Sequence, residues 1–226
     1  MFFSMPVDLP KQYLNYPKPL RHVFGVRRLY HVLEGLILFP FYWGMAYVTH
    51  TPGLEFRGFC TLMGIRLLLK RRDLRNAYKL IVSPMDSVRY FEFDFMWRAI
   101  RKVKINLYLD VSSPRLLPLM VIARTPGLVA DLINPDKKDL PMTMALAKSW
   151  GIAERCRFYA QRIDTVTLEP NSFDVITSIS VIEHILDDKG AVQKMWDLLR
   201  PGGVLLISVP CAAKASEEYI NLNDYE

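Results

Sequence analysis

"INLYLDVSSPRLLPLMVIARTPGLVADLI", residues 105–133, carries the pattern from which the architecture follows. An apolar run closing on an acid, 105–111, is followed by a stretch with helical spacing, 113–124, and then by a second apolar run, 127–133. Strand, helix and strand in that order predict a βαβ unit, whose strands run parallel because the helix carries the chain back across the sheet. Further outward the alternation continues. Strands are expected at 157–163, 173–180 and 203–210, and helical spacing returns at 142–152 and 189–200. The fold class expected is α/β, a doubly wound, Rossmann-like, mostly parallel sheet. Ligands in such sheets bind past the carboxyl ends of the strands, where the strand order reverses.

Two acids stand where that rule places a site. Asp110 closes the first strand and Asp131, 21 residues on, lies in the second. An acid at about that spacing accepts hydrogen bonds from ribose hydroxyls. Between them, however, Ser112-Ser113-Pro114 occupies the place of the usual glycine-rich loop, whose glycines allow close ligand approach and positive φ. Small serines still permit close approach and carry hydroxyl and N–H donors. Pro114 suits the first turn of the helix that follows, where a missing N–H matters least.

The 226 residues allow one domain plus an extension. Cys60, Cys156 and Cys211 form no C-x-x-C pair, which disfavours a disulfide framework or zinc site and points to a reducing, cytoplasmic setting. Residues 1–104 hold 17 Lys+Arg against 7 Asp+Glu, a net of +10, while 105–226 hold 12 against 16, a net of −4. A basic front attached to an acidic back faces an anionic partner or is an ordinary solvated surface. The opening stretch, "MFFSMPVDLPKQYLNYPKP", lacks a basic start before an apolar run and so does not read as a secretory signal.

The expected organisation is a basic, apolar helical extension at 1–82 and an α/β domain at 83–226. "LEGLILFPFYWGMAYV", 33–48, is shorter than a bilayer span and contains Glu34 and Pro40. It is expected to be a packed helical hairpin, with an interfacial membrane anchor and a true span as alternatives. Peripheral membrane contact is therefore one of the expected partnerships. Residues 62–81 read as an amphipathic basic helix. The aromatics Tyr90, Phe91, Phe93, Phe95 and Trp97 read as a lid on the sheet rather than a stacking platform. Because the positive charge is mixed with apolar residues, no nucleic-acid partner is expected.

"RIDTVTLEPNSFDVITSISVIEHI", 162–185, and "LLRPGGVLLISVP", 198–210, are more specific strings. Through them the sequence resembles the class I methyltransferases that use S-adenosylmethionine, with "LDVSSP" as a variant of the first motif. The resemblance runs over roughly 105–210. It implies that Asp110, Ser112 and Ser113 form the cofactor loop, and that Asp131, with Leu132 beside it, holds the ribose. It implies further that Asp164 and Thr165 flank the adenine, and that the segment from Ser178 through Ser180 passes the methionine part. Pro201, Gly202 and Gly203 match a turn into the fifth strand. That family adds two more strands after a string such as "LISVP"; only 16 residues follow Pro210, so the chain is expected to be a fragment or to replace them.

Methyl transfer to a hydroxyl or amine requires two aligned reactants and a base for the departing proton. His184 is the expected base, since an imidazole titrates near pH 6.5; Glu183 is expected to orient it or the acceptor, a small molecule such as a lipid-linked or glycosidic compound. His184 as a mere packing residue is the other reading. His22, His31 and His50 read as packing or surface residues. The acids of "EHILDD" are better explained by helix capping than by a metal, so no metal is expected. The alternative function is a catalytically inactive, methyltransferase-like binding domain. A nicotinamide dehydrogenase fits less well, because the glycine fingerprint is absent.

Overall fold

A computed structural model of the chain describes residues 26–211, apart from 72, 83 and 86. The readings made of the first 25 residues, of His22 and of the stretch after Cys211 lie outside the described residues. The chain divides into two compact units, Met1–Thr51 and Pro52–Glu226.

In the first unit one helix, α1 (Val26–Val48), runs straight through Pro40. The hairpin expected around that proline does not form. Proline already holds a φ close to the helical value, so inside an apolar run it removes one hydrogen bond without dictating a turn. Leu33, Ile37, Phe41, Tyr42, Met45, Tyr47 and Val48 are exposed on it. No helix among the described residues is long and apolar enough to cross a membrane.

The second unit begins with α2 (Leu54–Arg71), α3 (Leu74–Val82) and α4 (Ser87–Ile100). Thereafter strands and helices alternate: β1 (Leu107–Val111), α5 (Leu116–Arg124), β2 (Val129–Ile133), α6 (Leu140–Trp150), β3 (Cys156–Tyr159), β4 (Phe173–Ile179), α7 (Asp188–Leu198) and β5 (Leu199–Ser208). All neighbours are parallel in the order β3-β2-β1-β4-β5. The doubly wound α/β class read from the sequence is therefore the one observed, and the order reverses between β1 and β4.

Burial explains the alternation. β4 is buried along its whole length and β1 nearly so, as parallel strands covered by helices on both faces must be. On one face Tyr108, Ala130, Leu132 and Val175 pack with Phe56, Phe93, Leu117 and Leu146 from α2, α4, α5 and α6. On the other, Leu109, Val111, Ile133 and Ile176 meet Ala191, Met195 and Leu198 of α7. Helix α2 thus contributes to the same core as the sheet, within the compact unit Pro52–Glu226.

At the amino end, buried Asp174 ties three strands together. Its Oδ2 accepts the backbone N–H groups of Asn106 and Leu107 at 2.5 and 2.9 Å, and its Oδ1 pairs with Arg200 at 2.6 Å. Next to it the Pro201-Gly203 segment is a bulge inside β5 rather than a turn before it: pairing jumps from Phe173↔Leu199 to Val175↔Val204. Gly202 has φ +79°, a value that L side chains rarely adopt. β5 forms one edge of the described sheet.

Candidate functional site

The carboxyl ends of β1 and β4 flank the point where strand order reverses, and the Ser-Ser-Pro loop lies there. Ser112 has φ +56°. A serine therefore takes the left-handed backbone normally given to glycine, at a strain of about 1 kcal/mol. Its N–H donates to the carbonyl of Ile133 at 2.8 Å and its hydroxyl to the same oxygen at 3.2 Å. These bonds join the end of β1 to the end of β2 and offset part of that strain.

Ser113 is buried. Its N–H donates to Asp110 Oδ2 at 3.1 Å, and its Oγ accepts the N–H of Ile179 at 3.1 Å. The Ser178 hydroxyl donates to the Val111 carbonyl at 3.3 Å. The structure thus brings Asp110, Ser112, Ser113 and Ser178 together where β1 and β4 end, while the backbone N–H of Ser180 turns to the Ser208 carbonyl on β5. Most of the hydroxyl and N–H groups expected to face a ligand are engaged with the protein itself; the backbone path, more than the side chains, defines the loop.

Asp110 is not at the surface. Its Oδ1 accepts from Thr177 Oγ1 at 2.6 Å and from the Tyr108 hydroxyl at 3.3 Å, and that hydroxyl lies 2.6 Å from Thr177 Oγ1. Burial raises its carboxyl to about 6, against the pull of the Thr177 and Ser113 bonds. Burial also pushes the Tyr108 phenol well above its usual range, with Asp110 adding to the effect.

On the neighbouring strand Asp131 is 1% exposed, and Arg157 Nε–H donates to its Oδ1 in an ion pair. The two residues are register partners on β2 and β3. Burial raises the Asp131 carboxyl and the Arg157 bond lowers it again. The Leu132 side chain packs in the core that Asp131 does not join, so only its backbone can serve a ligand on the Asp131 side. Arg115, at the start of α5, pairs with Asp139 before α6 and makes a second link between the loops after β1 and β2.

Asp164 and Thr165 lie after β3 in an exposed turn. Arg162 forks onto Asp164 at 3.0 and 2.7 Å, and the Thr165 hydroxyl donates to the Arg162 carbonyl at 3.1 Å. Glu183 and His184 lie in a short 3-10 turn, Ile182–His184, just past β4. Glu183 Oε1 and His184 Nε2 are 4.0 Å apart, and Glu183 Oε2 is buried without a hydrogen-bond partner among the described residues.

Helix α4 adds residues that the sequence reading passed over. Arg89 donates to Ser180 Oγ at 2.5 Å and to Glu92 Oε2 at 2.5 Å. Ser180 donates to Glu92 Oε1 at 3.3 Å, and the Ser208 hydroxyl donates to the same oxygen. Ser180 is a second non-glycine residue with positive φ, +50°. A half-buried cation and carboxylate therefore close over the ends of β4 and β5. A cavity of about 470 Å³ lies instead at the amino end, between Pro170, Trp196 and Gly203, away from this cluster.

The loop geometry and the acid on the next strand fit a nucleoside ligand: a tight left-handed turn at the switch point, with a carboxylate one strand away. A family model described as a methyltransferase domain matches residues 126–207. No curated protein matches the chain. Among solved structures, the [4+2]-cyclase SpnF is 18% identical, covering 51% of this chain and 43% of its own, with a TM-score of 0.47. The YcgJ protein of Bacillus subtilis is 20% identical over 49% of this chain and 48% of its own, with a TM-score of 0.44. An S-adenosylmethionine-dependent O-methyltransferase of Thermotoga maritima is 15% identical over 55% and 46%, with a TM-score of 0.44. The chain spans about half the length of these structures. Residues 126–207, which carry Asp131, Asp164, Ser178, Ser180, Glu183 and His184, are thus similar to a methyltransferase domain, and S-adenosylmethionine is the cofactor that this match implies.

Proposed function

We propose that residues 83–226 form a methyltransferase domain that binds S-adenosylmethionine across the carboxyl ends of β1, β2 and β4, with 1–82 as its extension. The observation that carries this reading is the glycine-like backbone of Ser112, next to β2 with its buried acid Asp131. In this reading the backbone of Asp110, Ser112 and Ser113 lies against the cofactor, Asp131 and the Leu132 backbone hold the ribose, and Asp164 with Thr165 borders the adenine. Residues Ser178 and Ser180 shape the methionine end. The bound cofactor supplies an electrophilic methyl group on sulfur.

His184 takes the proton that a hydroxyl or amine acceptor must lose, and Glu183 holds the imidazole or the acceptor. The acceptor class is apolar, lipid-linked or glycosidic. Supporting that choice, Val88, Phe91 and Phe95 stand exposed on α4, the helix whose Arg89 and Glu92 reach Ser180. A cytoplasmic setting belongs to the same reading and rests on three free cysteines.

A second reading has its own support. Because Arg157 already occupies Asp131 Oδ1 and the loop serines bond inward, the domain would be an inactive, methyltransferase-like binding module. Calorimetric titration with S-adenosylmethionine separates the two. Binding in the micromolar range that Asp131→Ala removes supports the enzyme; a folded chain that takes up no cofactor supports the binding module.

A further inference from the structure

The helices that precede the sheet have two apolar sides. On α2, Phe56, Phe59, Met63 and Leu67 are buried in the core, yet Leu62, Ile65 and Leu69 form a second row, with Leu69 75% exposed. On α3, Ala77 and Leu80 are buried while Leu74, Tyr78 and Val82, at four-residue spacing, are exposed. On α4, Phe93, Met96 and Ile100 are buried while Val88, Phe91 and Phe95 are exposed, Phe95 at 68%. A solvated helix needs one apolar side; spacings of three and four align each extra row along a single face.

The charge beside the α2 and α3 rows is mostly positive, while on α4 Arg89 pairs with Glu92 and Arg98 with Asp94. Residues 54–82 contain seven Lys or Arg and two Asp or Glu. Exposed Lys70 adjoins the α2 row, where the Arg66 guanidinium lies over the Trp150 ring at 4.2 Å, and exposed Arg75 and Lys79 adjoin the α3 row. A second copy would bring these cations against their own kind. A nucleic acid would leave the apolar rows without a counterpart. An anionic bilayer answers both: apolar and aromatic side chains enter the acyl boundary while long cationic side chains reach the phosphates.

We infer that α2, α3 and α4 form a docking face for the surface of an anionic lipid bilayer. This inference does not depend on the methyl-transfer reading, but with it the face would bring the Arg89–Glu92 end of the sheet close to an acceptor held in the membrane.

The test is flotation of the full chain with phosphatidylcholine vesicles and with vesicles containing about a third phosphatidylglycerol. The chain should float with the anionic vesicles and stay behind with the neutral ones. The double variant Ile65→Asn/Leu69→Asn, both exposed positions, should weaken binding by roughly a hundredfold. The triple variant Lys70→Gln/Arg75→Gln/Lys79→Gln should weaken it by roughly tenfold or more. Three results would overturn the inference: a chain with native circular dichroism that floats with neither vesicle, binding that survives both variants and so belongs to α1, or a lipid-indifferent dimer that Ile65→Asn/Leu69→Asn dissociates. Titration with S-adenosylmethionine, run on the same samples, reports on the methyltransferase reading separately.

Discussion

Ser112 gives both its N–H and its hydroxyl to a single acceptor, the carbonyl of Ile133, at 2.8 and 3.2 Å while its φ is +56°. The serine therefore does two jobs that a glycine would split: it accepts an unfavourable backbone and stitches β1 to β2. Ser112→Gly should remove about 1 kcal/mol of strain and lose a hydrogen bond of similar size, leaving urea stability nearly unchanged. Ser112→Val, which keeps the strain without the hydroxyl, should destabilise by about 1–3 kcal/mol.

Asp110 should make stability fall as pH rises. Burial lifts its folded carboxyl to about 6, above an unfolded value of about 4. The native state therefore holds the extra proton between these values. Its stabilising contribution is complete below about pH 4 and is lost as pH rises through about 6, a change on the order of 2–3 kcal/mol. Asp131, also raised, acts in the same direction. Urea unfolding at several pH values, compared with Asp110→Asn, isolates the effect: the variant should lose most of this slope.

Arg157 covers the acid that the proposed function assigns to ribose. Arg157→Gln should tighten S-adenosylmethionine binding, because the ribose hydroxyls no longer compete with a guanidinium for Asp131 Oδ1. Calorimetry measures it; weaker binding would mean that Arg157 contacts the ligand itself.

Asp174 predicts stability without chemistry. Asp174→Ala leaves two backbone N–H groups and Arg200 without their acceptor, so unfolding free energy should drop by about 3–5 kcal/mol. Where the folded fraction is corrected for, cofactor affinity should hardly move.

His184→Ala should reduce turnover by about 10²–10⁴-fold and leave cofactor affinity within a small factor. Equal losses of both would instead make His184 a packing residue of the turn after β4.

The βαβ alternation was legible because buried parallel strands are short apolar runs, and strands at 105–111 and 173–180 were placed to within two residues of β1 and β4. β5 begins four residues before its expected start, since a bulge at Pro201-Gly203 lets the strand begin at Leu199. The hairpin expected at Pro40 failed for a different reason: a proline only permits a turn, and nothing nearby demands one. The place of Asp131 on β2 could be read from spacing alone, whereas its partner Arg157 could not, because that pairing depends on β2–β3 register. Arg89 and Ser180 are 91 residues apart, a contact that no local pattern encodes. Residue types likewise do not say whether a serine hydroxyl bonds outward or inward, which is why the loop's inward bonding emerged only with its geometry.

Whether the Ser-Ser-Pro loop and Asp131 hold a cofactor is measured by calorimetric titration of the full chain and of Asp131→Ala with S-adenosylmethionine and S-adenosylhomocysteine. Both ligands should bind the full chain in the micromolar range and the variant at least tenfold more weakly. A chain with native circular dichroism that releases no heat with either ligand would contradict the cofactor assignment and leave the inactive binding domain as the function of this fold.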